Sequence, residues 1–101
     1  MGLTSLIYHI IMSGVMTRYL DSGCTYEEIY VNSDKLGLKH YYRFTGPCIV
    51  TGEDYSVMVK GEELFQMRQT NSIMALASLD AGDREFLMTG TSPKGWDKLF
   101  P

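Results

Sequence analysis

Leu38-Lys39-His40-Tyr41-Tyr42-Arg43-Phe44, LKHYYRF at positions 38–44, is the stretch on which the fold turns. Its alternation puts Leu38, His40, Tyr42 and Phe44 on one face and Lys39, Tyr41 and Arg43 on the other, the period-two pattern of a strand. Thr45-Gly46-Pro47 reads as a turn, Cys48-Ile49-Val50 as a short second strand, and Thr51-Gly52-Glu53-Asp54 as a further turn. Tyr55–Lys60 alternates again, with Tyr55, Val57 and Val59 inward. Residues 38–60 are therefore expected to form a small antiparallel meander of about three strands, the Cys48–Lys60 hairpin being its clearest part.

Beyond Gly61 the period changes to that of helices, which fill residues 61–101. Glu62 and Glu63 precede Arg68, as the helix dipole favours. Asn71-Ser72 can cap a short helix over Ile73–Leu79, and Asp80 can cap another that ends at Gly90 with Phe86 and Leu87 buried. Ser92 as N-cap with Pro93 at the first helical position opens a final helix. It carries Trp96, Leu99 and Phe100 on one face, a docking surface for the core or for a partner.

On the other side of the meander, Thr25-Tyr26-Glu27-Glu28 has capping-box spacing, while Ile29-Tyr30-Val31 is β-branched and aromatic. A helical turn and a strand are equally compatible with this stretch. Before it, Leu3, Leu6, Ile7, Ile10, Ile11 and Val15 fall at helical spacing, and Asp21-Ser22-Gly23 supplies a stop. Residues 1–22 are expected to form an N-terminal helix running from Leu3 to Leu20. Ser5, His9, Ser13 and Arg18 interrupt its apolar run before the ~20 residues a bilayer crossing needs, so no membrane is expected as a partner. Met12 and Met16 offer alternative starts. Helix, strands, then helices make one α+β domain over residues 1–101.

Composition agrees with one packed domain: 45% of the 101 residues are hydrophobic and 21% charged. The formal charge of −3 and the scatter of nine Lys and Arg argue against a nucleic-acid partner held by phosphate neutralisation. Cys24 and Cys48 are the only cysteines, too few for a disulfide framework, and whether they pair is left open. Seven methionines and an apolar first helix suggest self-association as a homo-oligomer.

The chain offers little familiar chemistry. His9, Cys24, His40 and Cys48 match no zinc spacing, and no phosphate-binding glycine motif occurs, so no metal or cofactor is expected. Cys48 with His40 is the one nucleophile–base pair to consider. An apolar strand around Cys48 would raise its pKa and leave it inert, so no catalytic residue is assigned. The carboxylate pairs Glu27-Glu28, Glu53-Asp54 and Glu62-Glu63 read as solvated element ends. Lys39, Tyr41 and Arg43, on the face turned from the core, could stack on a base and pair with a phosphate. The simpler reading is a solvated sheet face with a Tyr-Arg cross-strand contact.

The blocks GPCIVTGEDYSVMV, GEELFQ and DREFLMTGTSPKGWDKLF, spanning roughly Gly46 to Phe100, resemble a set of short phage-encoded proteins of uncharacterised function. The likeness rests on Arg84-Glu85-Phe86-Leu87, Gly90, Pro93 and Trp96 at similar spacing. It implies a viral accessory protein at work in a host bacterial cytoplasm, and it assigns no residue a role. The expectation is a non-catalytic, stoichiometric binder that antagonises a host system, by blocking a host protein or sequestering a small nucleotide signal. The alternatives are a virion or assembly component, and an unrecognised nucleotide- or nucleic-acid-processing enzyme.

Overall fold

The computed structural model describes residues 17–33 and 37–101. A short helix α1 (Tyr19–Ser22) leads into strands β1 (Thr25–Ser33), β2 (Gly37–Pro47) and β3 (Asp54–Lys60). Helix α2 (Gly61–Thr70), a 3-10 turn (Ile73–Ala75), α3 (Ala81–Thr89) and α4 (Pro93–Leu99) follow. The three strands form one antiparallel sheet in the order β1-β2-β3. The α+β class is as expected. Most of the expected N-terminal helix lies outside the described residues. Within them Arg18 is extended at ψ 152°, so helix does not run unbroken to Leu20 but begins at Tyr19.

One open stretch is decided and two strand expectations are corrected. Thr25–Ser33 is a strand, because its whole length pairs with β2, from Thr25 opposite Thr45 to Ser33 opposite Gly37. A nine-residue ladder outweighs the one local capping arrangement that a helical turn would gain. Cys48–Val50 is a turn rather than a strand, and the meander spans residues 25–60 rather than 38–60. There the Cys48 N–H donates to the Glu53 carbonyl at 2.8 Å and Gly52 N–H to the Cys48 carbonyl at 2.8 Å, closing the loop on itself. Gly52 sits at φ +77°, which a side chain would resist.

Leu20, Phe44, Val57, Val59, Met67, Leu76, Phe86 and Leu87 form the core, with one face of the sheet covered by the helices. Phe86 lies between two tyrosines, edge-on to Tyr55 at 5.0 Å and to Tyr19 at 5.6 Å. Such contacts add to plain area burial. The helix caps are those read from sequence. Asp80 accepts from Asp83 N–H at 2.8 Å, and Ser92 accepts from Gly95 N–H at 3.1 Å with Pro93 just inside the helix. The expected helix over Ile73–Leu79 contracts to the 3-10 turn, capped by Ser72.

Of the two dockings expected for the tail, into the core or onto a partner, the structure does not show the first. Helix α4 docks through buried Gly95, where an added Cβ would stand 2.8 Å from Cys48 Sγ. Trp96 is half-buried and stacks on Phe100, while Leu99 and Phe100 are 49% and 72% exposed. The Trp-Leu-Phe face therefore does not wedge into the core. A glycine at the contact brings the α4 backbone against the β2–β3 loop, and that approach turns the large side chains aside.

Candidate binding site

Strand alternation gathers one group of aromatic rings on the helix-facing side of the sheet. Tyr26 is opposite Phe44, Glu28 opposite Tyr42 and Tyr30 opposite His40, all on a single face. Tyr30 lies flat on His40, ring centres 4.6 Å apart and planes 8° from parallel. His40 in turn meets Tyr42 at 4.6 Å, and Tyr26 meets Tyr42 and Phe44 at 5.7 Å each. Phe44 anchors the row in the core, Tyr42 and His40 are half-buried beside it on β2, and the two β1 tyrosines, Tyr26 and Tyr30, are the open members. The two openings differ in cause: Tyr26 lies on the outer strand of the three-stranded part, whereas Tyr30 lies past the end of β3 opposite Tyr41, where β1 and β2 continue as two strands.

Tyr26 is 63% exposed and Tyr30 56%, far above what paired core aromatics show. Leu38, expected inward with His40 and Tyr42, is exposed on this same extension. His40 is held closely, since a Cβ on Gly61 would stand 2.9 Å from its Nδ1. Glycine at the start of α2 is what lets the helix approach the ring.

Below Tyr26 the row opens into a cleft of about 270 Å³, walled by α1, the sheet and α2 through Leu20, Asp21, Tyr26, Tyr42, Phe44, Leu64 and Arg68. At its rim Arg68 grips Asp21 with two hydrogen bonds, at 2.8 and 2.7 Å. Those bonds hold the Asp21 carboxyl below its ordinary range and push the Arg68 guanidinium higher still. Cys24, also lining the cleft, is pushed up to about 11 by burial and then by the Asp21 charge. It is a neutral thiol at physiological pH, a wall rather than a nucleophile.

The three residues singled out for stacking, Lys39, Tyr41 and Arg43, fall on the opposite face of β2, as alternation required. Arg43 donates to Glu27 across the strand pair at 2.9 Å. Tyr41 stands half-buried between Ile29 and Lys60, and Lys39 is opposite Val31. The cross-strand partner of Arg43 is thus a carboxylate on β1 rather than Tyr41.

Cys48 and His40 are not brought together. His40 lies near the start of β2 and Cys48 just past its end, eight residues on and on the order of 25 Å away along an extended chain. Cys48 is buried but differs from the inert thiol expected. Burial pushes its pKa up, yet hydrogen bonds from Ser92 and Thr51 outweigh burial and carry it down to about 6. Ser92 N–H approaches Sγ at 3.4 Å. The expectation of a raised value failed because it took the surroundings to be an apolar strand. A polar loop and a helix start enclose the sulfur instead.

Sequence reasoning placed Tyr42 and Phe44 on the inward face but missed Tyr26 and Tyr30, whose strand it left undecided. The Tyr-x-x-x-Tyr spacing sets both rings on one face of a strand but equally on one face of a helix, so only the pairing with β2 reveals them. Among the described residues no helix is long and apolar enough to cross a membrane, and no three His, Cys, Asp or Glu side chains gather where they could hold a metal ion. No protein-family model, curated protein or solved structure matches the chain.

Proposed function

We propose that this protein is a non-catalytic binding module that holds a protein partner one-to-one through the row Tyr26, Tyr42, His40 and Tyr30. One observation carries the reading: Tyr26 and Tyr30 stay more than half exposed while each rests on a fixed neighbouring ring. Tyrosines placed this way offer large amphipathic area at low conformational cost, the profile of interface hot spots. A protein partner suits the site better than a nucleotide signal. The cation at the cleft, Arg68, already has both Asp21 oxygens, and a phosphate would have to displace them.

The likeness of residues 46–100 to phage-encoded proteins supports a setting for this binding: a small viral accessory protein that antagonises a host system in the bacterial cytoplasm. Affinity capture from infected host cells tests both parts, using the wild type beside the Tyr26→Ala/Tyr30→Ala double variant. A host protein retained by the wild type and lost by the variant is the expected result. A partner retained equally by both, or none retained by the wild type, overturns the reading.

A further inference from the structure

Among the described residues strand β1 is an edge of the sheet: β2 pairs with one side of it and no strand pairs with the other. Natural sheets blunt such edges with charged side chains, lysine above all, and with proline, bulges or brevity. β1 is long, without Lys or Pro over the nine residues Thr25–Ser33, and its register with β2 is continuous with no bulge; its charges are Glu27 and Glu28 alone, which exclude some pairings and permit others. The other edge strand, β3, is shorter and carries Lys60 and Asp54 at its ends.

We propose that two copies of this chain join by antiparallel pairing of their β1 strands, with Ile29 on the two-fold axis, to give one continuous six-stranded sheet. A two-fold perpendicular to the sheet keeps each face on its own side, so the axis must pass through a residue and pair positions of like orientation. Ile29 is the midpoint of β1, and centring there pairs all nine residues.

That same register is self-complementary. Ile29 meets Ile29 of the second copy, Glu27 meets its Val31, and Glu28 meets its Tyr30. No carboxylate faces another, whereas centring on Glu27 or Glu28 would put like charges together. On the aromatic side each Glu28 gains a phenol to accept from. The pairing of those two groups is already foreshadowed within one chain, where Tyr30 Oη lies 3.4 Å from Glu28 Oε2. On the other face the central row reads Tyr41, Ile29, Ile29, Tyr41, because Ile29 is opposite Tyr41 in each copy. This dimer does not depend on the partner reading above. It would set two aromatic rows side by side on one sheet.

Sedimentation velocity on the full chain, well above micromolar concentration, should give about twice the 11.4 kDa chain mass. Ile29→Cys, made in a Cys24→Ser background, should cross-link between copies on mild oxidation, since directly paired strand residues fall within disulfide reach. Met58→Cys, exposed on β3 away from the axis, should not. Val31→Glu should weaken the dimer roughly fivefold by facing Glu27 of the second copy, although within its own chain the new carboxylate is opposite Lys39 and favours the hairpin. Val31→Lys should preserve the dimer while straining the hairpin, so a folding defect cannot imitate the pattern. A monomer at these concentrations overturns the proposal. So does a dimer that ignores Val31→Glu, or one that cross-links at Met58→Cys rather than Ile29→Cys.

Discussion

The phenol of Tyr55 on β3 donates to the carboxylate of Asp83 on α3, fastening the sheet to the helix that carries the core phenylalanine. The bond spans 28 residues of sequence and sits beside Phe86, whose ring meets that of Tyr55. Burial first, then the Asp83 hydrogen bond, push the phenol up to about 12 from its ordinary 10.0. Because the folded state keeps this proton longer than the unfolded chain, the contribution is complete below pH 10 and is lost as pH rises through 12. Tyr55→Phe should cost about 1–2 kcal/mol near neutral pH and flatten the alkaline limb of a stability–pH curve from urea denaturation. A variant as steep as the wild type above pH 10 would contradict the assignment.

Cys48 has the opposite sign. Its folded pKa of about 6 lies below its ordinary 9.0, so between those values the unfolded chain holds a proton that the folded chain has released. Stability should rise with pH across this window, and the gain should disappear as pH falls through 6. Cys48→Ser should remove that rise. Denaturation midpoints for the two proteins from pH 5 to pH 9 check it, and parallel curves would contradict it.

Gly90 ends α3 at φ +86°, and a Cβ there would stand 2.9 Å from the Tyr19 ring and 3.0 Å from Ile49 Cγ2. Its carbonyl also accepts from Ile49 N–H at 2.9 Å, pinning the β2–β3 loop to the helix end. Gly90→Ala meets both backbone strain and a crowded wall, and should destabilise by about 1–3 kcal/mol in chemical denaturation. A neutral result would mean the loop gives way freely.

Two phenylalanines separate core from surface. Phe86 is fully buried between tyrosines, so Phe86→Ala should cost about 3–5 kcal/mol. Phe100 is largely exposed against Trp96, and Phe100→Ala should change stability by no more than about 0.5 kcal/mol. Thermal melts of the pair distinguish a surface tail from a wedge, and a large loss at Phe100 would restore the wedge.

Local patterns announced much of this fold. The alternation through Phe44 and Val59, the Asp80 and Ser92 caps and the glycine stop at Gly90 all lie within a few residues of sequence, and each is where the pattern put it. What escaped depended on distant partners. Thr25–Val31 could be settled only by the strand it pairs with, and Cys48–Val50 was denied a ladder by bonds to Glu53 and Gly90. The burial of α4 through Gly95 rests on a close approach to Cys48, 47 residues earlier, which no periodicity reveals.

The candidate site was legible to the same extent. Tyr42 and Phe44 were placed by alternation, while the exposed members of the row required knowing that β1 is an outer strand paired with β2 and, for Tyr30, that β3 stops opposite Tyr41. The charge pairs were equally hidden, since Arg43 meets Glu27 and Arg68 meets Asp21 only after the chain has folded back.

Calorimetric titration of any host protein that the affinity capture retains, into the wild type and the Tyr26→Ala/Tyr30→Ala variant, tests the proposed stoichiometric recognition by the aromatic row most directly. Heat should saturate at one partner per chain for the wild type, with affinity falling at least a hundredfold in the variant, the loss of about 3 kcal/mol expected when two hot-spot rings are removed. Undiminished binding by the variant, or heat that continues past saturation as turnover would produce, contradicts the account.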